Sequence, residues 1–119
     1  MIVKAPHFYT MEGEGVGYKS GVAMVINGGK IVAIEDESII DKEYVGEEQL
    51  ELNHHAIFPG FIDGHMHTGL AIMRGLAQDT NNWMMYGLQP FDNAVTREEK
   101  LAGSRLAIIE AIKAGTTTF

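Results

Sequence analysis

Cysteine is absent from the 119 residues, which excludes disulfides, thiolate metal sites and a cysteine nucleophile, and fits a reducing compartment. Positive charge is scarce. Nine Lys and Arg against sixteen Asp and Glu leave a formal charge of −7, the wrong sign for neutralising phosphates, so no nucleic-acid partner is expected. Long hydrophobic runs are missing too: the uncharged stretch from Gly64 to Met73 is about half the ~20 apolar residues of a membrane span and holds two His, so no membrane association is expected. Met1 to Thr10 carries Lys4, Pro6 and His7 where a secretory signal needs an unbroken apolar stretch, and the expected location is cytoplasmic. The remainder is ordinary for a folded chain, 45% hydrophobic and 21% charged. Its length suffices for one domain and is too small for two large independent ones.

The first third reads as β structure. Met1-Ile2-Val3-Lys4, Val22 to Ile26 and Lys30 to Ile34 are rich in β-branched residues and separated by Gly, and Asn27-Gly28-Gly29 predicts a tight hairpin. Met11 to Gly17 holds three Gly in five residues, a pattern open to phosphate cradling, but no helical pattern follows it and a flexible connection is expected. Eight acidic residues between Glu35 and Glu51 face only Lys42, as on a solvated face or, more sharply, a cation site. His54 and His55 are adjacent, point to opposite sides of an extended chain, and read as turn residues.

From Ala56 to His67 the texture becomes a continuous apolar run, as expected for a strand buried on both faces. Two weakly helical stretches follow, Gly69 to Leu76 and Asn81 to Leu88, interrupted at Asp79 to Asn82 and closed by Pro90. Thr96 with Glu99 predicts a capping box and a helix from Arg97, with Lys113 suited to its C-terminal dipole and Gly115 to its stop. Ile108, Leu101, Ile112, Ile109, Ala102 and Leu106 fall within roughly 160° of one another, predicting a wide apolar face with Arg105 inside it. Thr116 to Phe119 begins another strand. Strand, helix, strand over residues 57 to 119 makes one βαβ unit with parallel strands, in an α/β fold.

The informative spacing is His65-Met66-His67. On an extended strand both imidazoles project from one face at the strand end, half of a metal site, and Asp63 shares that alternation in a supporting position. An isolated pair of this kind is weak evidence, and more often two His simply packed or exposed at a strand end. Phe58-Pro59-Gly60-Phe61-Ile62-Asp63-Gly64-His65-Met66-His67, however, resembles the signature of the amidohydrolase superfamily, P-G-[FL]-I-[DN]-x-H-x-H. Met73-Arg74-Gly75-Leu76-Ala77-Gln78-Asp79, Trp83, Pro90 and Lys113 to Thr118 are similar to its branch of cyclic-amidine deaminases and chlorohydrolases, which includes S-adenosylhomocysteine/methylthioadenosine deaminases and triazine hydrolases.

The resemblance implies the start of a TIM-type (β/α)8 metal-dependent barrel, residues 57–119, preceded by part of a small β-sandwich, residues 1–56. It implies His65 and His67 as two ligands of a single Zn²⁺ or Fe²⁺, with Asp63 behind them. The remaining ligands and the proton-shuttling Glu are expected on later strands, in missing sequence or another chain, since a barrel of this kind needs roughly 250 residues; no catalytic acid or base is expected within this segment, and a homo-oligomeric parent is left open. In such a parent the metal would bring bound water to ionise near neutrality, and the hydroxide would attack a ring carbon and expel ammonia or another leaving group. The substrate would be a purine-, pterin- or triazine-like heterocycle. Asn82 stands where nucleoside-type deaminases of this branch carry a Glu, so a ribose-reading role loses its charge. Trp83 would line the pocket or pack on the rim; Arg74 would meet an anionic substrate group or a surface carboxylate. Two alternatives remain: a non-catalytic binding or assembly module reusing the fold, and an amide-ring hydrolase related to dihydropyrimidinases, which requires a bridging Lys on a later strand.

Overall fold

In the computed structural model, which describes residues 1–79 and 81–119, the β-branched runs near the start become strands β1 (Ile2–Lys4), β4 (Val22–Asn27) and β5 (Lys30–Asp36). Between the first two lie β2 (His7–Tyr9) and β3 (Tyr18–Lys19), and after them come α1 (Glu37–Glu43), β6 (Gln49–Glu51) and β7 (Ala56–Ile57). These elements make one compact unit, Met1–Pro59, containing two sheets of order β5-β4-β1-β6 and β3-β2-β7. Asn27 pairs with Lys30 across Gly28 and Gly29, whose φ of 57° and 75° supply the left-handed turn expected there.

Side-chain alternation divides the core of this unit. Ile2 pairs with Val25, and both pack with Ala23 and with Ile40 from α1 on one face of the larger sheet. Val3 and Met24, the next pair along, turn to the opposite face and pack with Ala5 and Phe8, flanked by Ile34, Leu52 and Ile57. The acidic stretch is therefore solvated as expected, but it includes a helix that the charge pattern concealed: the Asp36 side chain accepts the Ser38 N–H as an N-cap, and Ile40 supplies the buried contact. The Gly-rich Met11 to Gly17 segment is a laced hairpin connection, since Thr10 and Met11 donate their N–H groups to the carbonyls of Gly17 and Val16.

The second unit, Gly60–Phe119, contains β8 (Phe61–Ile62), a 3-10 turn (Thr68–Met73), a wide turn (Met84–Leu88), α2 (Gln89–Ala94), α3 (Arg97–Lys113) and β9 (Thr116–Thr118). β8 and β9 pair in parallel, Phe61 with Thr116 and Ile62 with Thr118, so the expected βαβ connection is present. Thr80, within the interruption expected at Asp79 to Asn82, lies outside the described residues.

Three expectations are corrected in this half. The apolar run from Ala56 is two short strands and not one: Pro59 has no N–H to donate, and Phe61 and Ile62 are exposed, Ile62 by 77%, so it is not buried on both faces. Pro90 does not close the helical excursion. It sits in the first turn of α2, where no intrahelical donor is needed, while the Gln89 N–H donates to the Met84 carbonyl in the wider turn before it. The broad Leu and Ile face of α3 is also not its packed face. The buried residue is Gly103, with Ser104, Ala107, Ile108 and Ala111 half-buried around it, whereas Leu101, Leu106, Ile109 and Ile112 are exposed. Small side chains let α3 approach the 3-10 turn closely.

The α3 capping box forms as expected: the Glu99 N–H donates to Thr96 Oγ1 at 3.2 Å, and the Thr96 N–H to Glu99 Oε2 at 2.8 Å. The Thr96 backbone donor, then its hydroxyl, hold the Glu99 carboxyl below its ordinary value of 4.5. Thr96→Ala is expected to destabilise the chain by about 1 kcal/mol in denaturant titrations followed by far-UV circular dichroism. Because the folded value is depressed, the contribution of Glu99 is complete above 4.5 and is lost as pH falls through the lowered folded value. The stability gap between wild type and Thr96→Ala should therefore narrow on acidification.

Candidate metal centre

The segment that carries the paired imidazoles begins where β8 ends. The Asp63 N–H donates to the Thr118 carbonyl at 2.9 Å, extending the β8–β9 pairing by one residue, and beyond it the backbone leaves the sheet. His65 and His67 thus sit on an irregular span and not on the strand itself. Their rings nevertheless converge: the two Nε2 atoms are 2.9 Å apart, with ring centroids 4.7 Å apart and planes at 71°. Such an edge-on meeting of two ring nitrogens needs a donor facing an acceptor, or a shared electrophile between them.

Asp63 supports this span through the backbone. Its Oδ1 accepts the backbone N–H of His65 at 3.0 Å, so it fixes the chain that carries the ring and not the ring nitrogen. On the other side, His67 is the N-cap residue of the 3-10 turn, and its carbonyl accepts the Leu70 N–H at 3.2 Å. Asp63 and His67 border an open concavity of about 560 Å³ with Ala107 and Ala111 of α3 in its wall and Arg74 and Glu110 on it as well.

Arg74 is engaged within the protein. Its two guanidinium nitrogens donate to Glu110 Oε1 and Oε2 at 3.0 and 2.6 Å, a bidentate pair linking the end of the 3-10 turn to α3. These hydrogen bonds, reinforced by the opposite charges, lower the Glu110 carboxyl and raise the Arg74 guanidinium relative to their ordinary values. Asn82 accepts the Met85 N–H through Oδ1 at 3.2 Å and borders a different concavity, with Leu88 and Asp92. Trp83 is half exposed at the start of the wide turn. The structure brings His65, His67 and Asp63 together, with Arg74 on the same concavity as His67; Asn82 belongs to another. Sequence reasoning missed Glu110, Gly103 and Ser104. The signal for Gly103 was its four-residue spacing with Ala107 and Ala111, a narrow small-residue line overshadowed by the Leu and Ile face beside it; Ser104 and Glu110 had none.

Residues 56–119, the stretch holding this pair, match the Amidohydrolase family. The chain belongs to the amidohydrolase family. Over its whole length it is 33% identical to a 5'-deoxyadenosine deaminase of Methanococcoides burtonii, covering 27% of that protein. It is 33% identical over 81% of its length to a 5-methylthioadenosine/S-adenosylhomocysteine deaminase of Pyrococcus horikoshii, covering 22% of it. An adenosine deaminase from Xanthomonas campestris, crystallised with bound zinc, superposes with a TM-score of 0.87 at 26% identity, covering 98% of this chain and 27% of that one. This amidohydrolase chain thus spans about a quarter of the length of the relatives it matches. No helix among its described residues is long and apolar enough to cross a membrane.

Proposed function

We propose that this chain supplies the first metal-ligand pair of a hydrolase that deaminates a purine-like heterocycle. The observation that carries this reading is the 2.9 Å approach of His65 and His67 Nε2 within the family-matching segment. Imidazole nitrogens bind Zn²⁺ at about 2.0–2.1 Å, so two nitrogens 2.9 Å apart can reach one ion, and the residues present fit the group. A bound ion of this kind supplies Lewis acidity that makes water nucleophilic near neutral pH. Zn²⁺ is favoured over Fe²⁺ by the zinc in the similar adenosine deaminase.

The work of this chain is positional. His65 and His67 hold two nitrogens toward one point; the Asp63 carboxylate fixes the backbone of the first and the 3-10 turn that of the second. Among the described residues no group of three or more His, Asp or Glu is placed to hold a metal, so on this reading the other ligands lie outside residues 1–119, in further sequence or another chain. Residues 60–119 are then the opening βαβ segment of a TIM-type barrel and the two sheets of the first unit part of a β-sandwich. The similar proteins act on adenosine derivatives, which makes a purine nucleoside a better candidate than a pterin or triazine. Asn82 and Trp83 remain candidates for contacting that substrate.

The test is to express the longest reading frame containing this sequence, measure its metal content, and follow ammonia release from adenosine, 5'-deoxyadenosine, methylthioadenosine and S-adenosylhomocysteine. Near-stoichiometric zinc with release of ammonia from at least one of these is expected. A stable, metal-free protein that releases no ammonia from any ring amine would instead favour a binding or assembly module.

A further inference from the structure

We propose that α3 sets the geometry of the His65/His67 pair, with Ser104, Gly103 and Glu110 acting as positioning residues through the 3-10 turn that His67 caps. The inference rests on the metal-binding reading for its purpose, but its geometry stands apart from any ion.

Only four residues, Gly64 to His67, lie between two fixed points, Asp63 and Thr68. Upstream, Asp63 is pinned by its N–H to Thr118 and pins His65 through its carboxylate. Downstream, the turn is attached to α3 at both ends. Immediately after His67, the Ser104 hydroxyl donates to Thr68 Oγ1 at 3.2 Å in a half-buried contact. One residue on, Gly103 faces Gly69 so closely that a Cβ on Gly103 would lie 2.9 Å from the Gly69 carbonyl oxygen, leaving backbone against helix with no side chain to give way. At the far end, Arg74 grips Glu110 through two parallel hydrogen bonds.

Ser104 and Glu110 are six residues apart on the helix, about 9 Å along its axis. A turn held at two points so far apart cannot rock about either one, and its N-cap residue, His67, inherits that restraint. Ligand pairs gain affinity when their supports fix them before the ion arrives. The exposure of Arg74, 64% at its side chain, separates this role from ordinary stabilisation, because exposed ion pairs contribute little to folding. Breaking the pair should disturb the imidazoles far more than it disturbs the fold.

The experiment compares the longest encoded polypeptide containing this sequence with its Glu110→Gln, Ser104→Ala and charge-exchanged Arg74→Glu/Glu110→Arg variants. Two quantities are read in each: the nuclear Overhauser effect between the His65 and His67 ring protons without metal, and the Zn²⁺ dissociation constant by calorimetry. In Glu110→Gln and Ser104→Ala the inter-ring effect should fall by more than half and the Zn²⁺ dissociation constant should rise about two- to fivefold, the range open to an exposed pair, with circular dichroism unchanged; the exchanged pair should recover both. An inter-ring effect of wild-type strength in both single variants overturns the positioning role. Failure of the unaltered full-length polypeptide to bind Zn²⁺ counts against the metal reading, while the metal-free ring signals still decide the positioning role.

Discussion

Replacing His65 with alanine is expected to weaken Zn²⁺ binding by the longest encoded polypeptide at least ~100-fold, beyond the 10–100-fold typical of losing an outer-sphere partner, because here a ligand itself is removed. Turnover should disappear with the metal. The fold should not follow, since both imidazoles are exposed and the backbone of the span is held by Asp63 and by the 3-10 turn; the change in unfolding free energy should stay within about 0.5 kcal/mol. His67→Ala should behave alike in metal content. Atomic absorption on dialysed protein, ammonia release and denaturant titration together check the prediction, and retained metal and turnover in His65→Ala would reject His65 as a ligand of the catalytic metal.

Gly60→Ala is expected to destabilise the second unit by about 1–3 kcal/mol, the cost of overpacking a site that cannot yield. A Cβ at Gly60 would overlap Oγ1 and Cγ2 of Thr117, and even the Thr117 Cβ, fixed to the backbone, would lie 2.7 Å away. Rotating the Thr117 side chain therefore cannot relieve the contact, and β9 must move away from the start of β8. Since β8 has two residues and β9 three, that shift gives up most of the pairing that joins them. Thr117→Ala should be nearly neutral alone and should restore part of the loss in combination, a coupling that a double-mutant cycle in urea would measure. Additive losses would mean that the two residues do not meet.

Features set by a few neighbouring residues were legible in the sequence. Asn27-Gly28 specifies its own turn, and Thr96 with Glu99 starts α3 through bonds within one turn of helix. The two His rings do meet, but the strand alternation that suggested it does not apply on their irregular span, where the Asp63 bond to His65 and the turn after His67 hold the backbone. What escaped depended on partners distant in the chain. Nothing near Gly103 announces that it must admit Gly69, and nothing near Arg74 names Glu110. α1 was hidden because its acidic residues dominate a segment in which Ile40 alone is buried. The break at Pro59 was masked by the apolar character on both sides of it.

The strand pairings of the first unit span very different lengths of chain: Asn27 meets Lys30, whereas Ile2 meets Gln49 and His7 meets Ala56. Bringing distant segments together costs chain entropy before any contact repays it, so assembly of this half is expected to begin at the β4–β5 hairpin and to wait on the two parallel closures. Its folding speed is consequently governed by its last-formed seams, β1 with β6 and β2 with β7, and not by the most extensive ladder in the sheet.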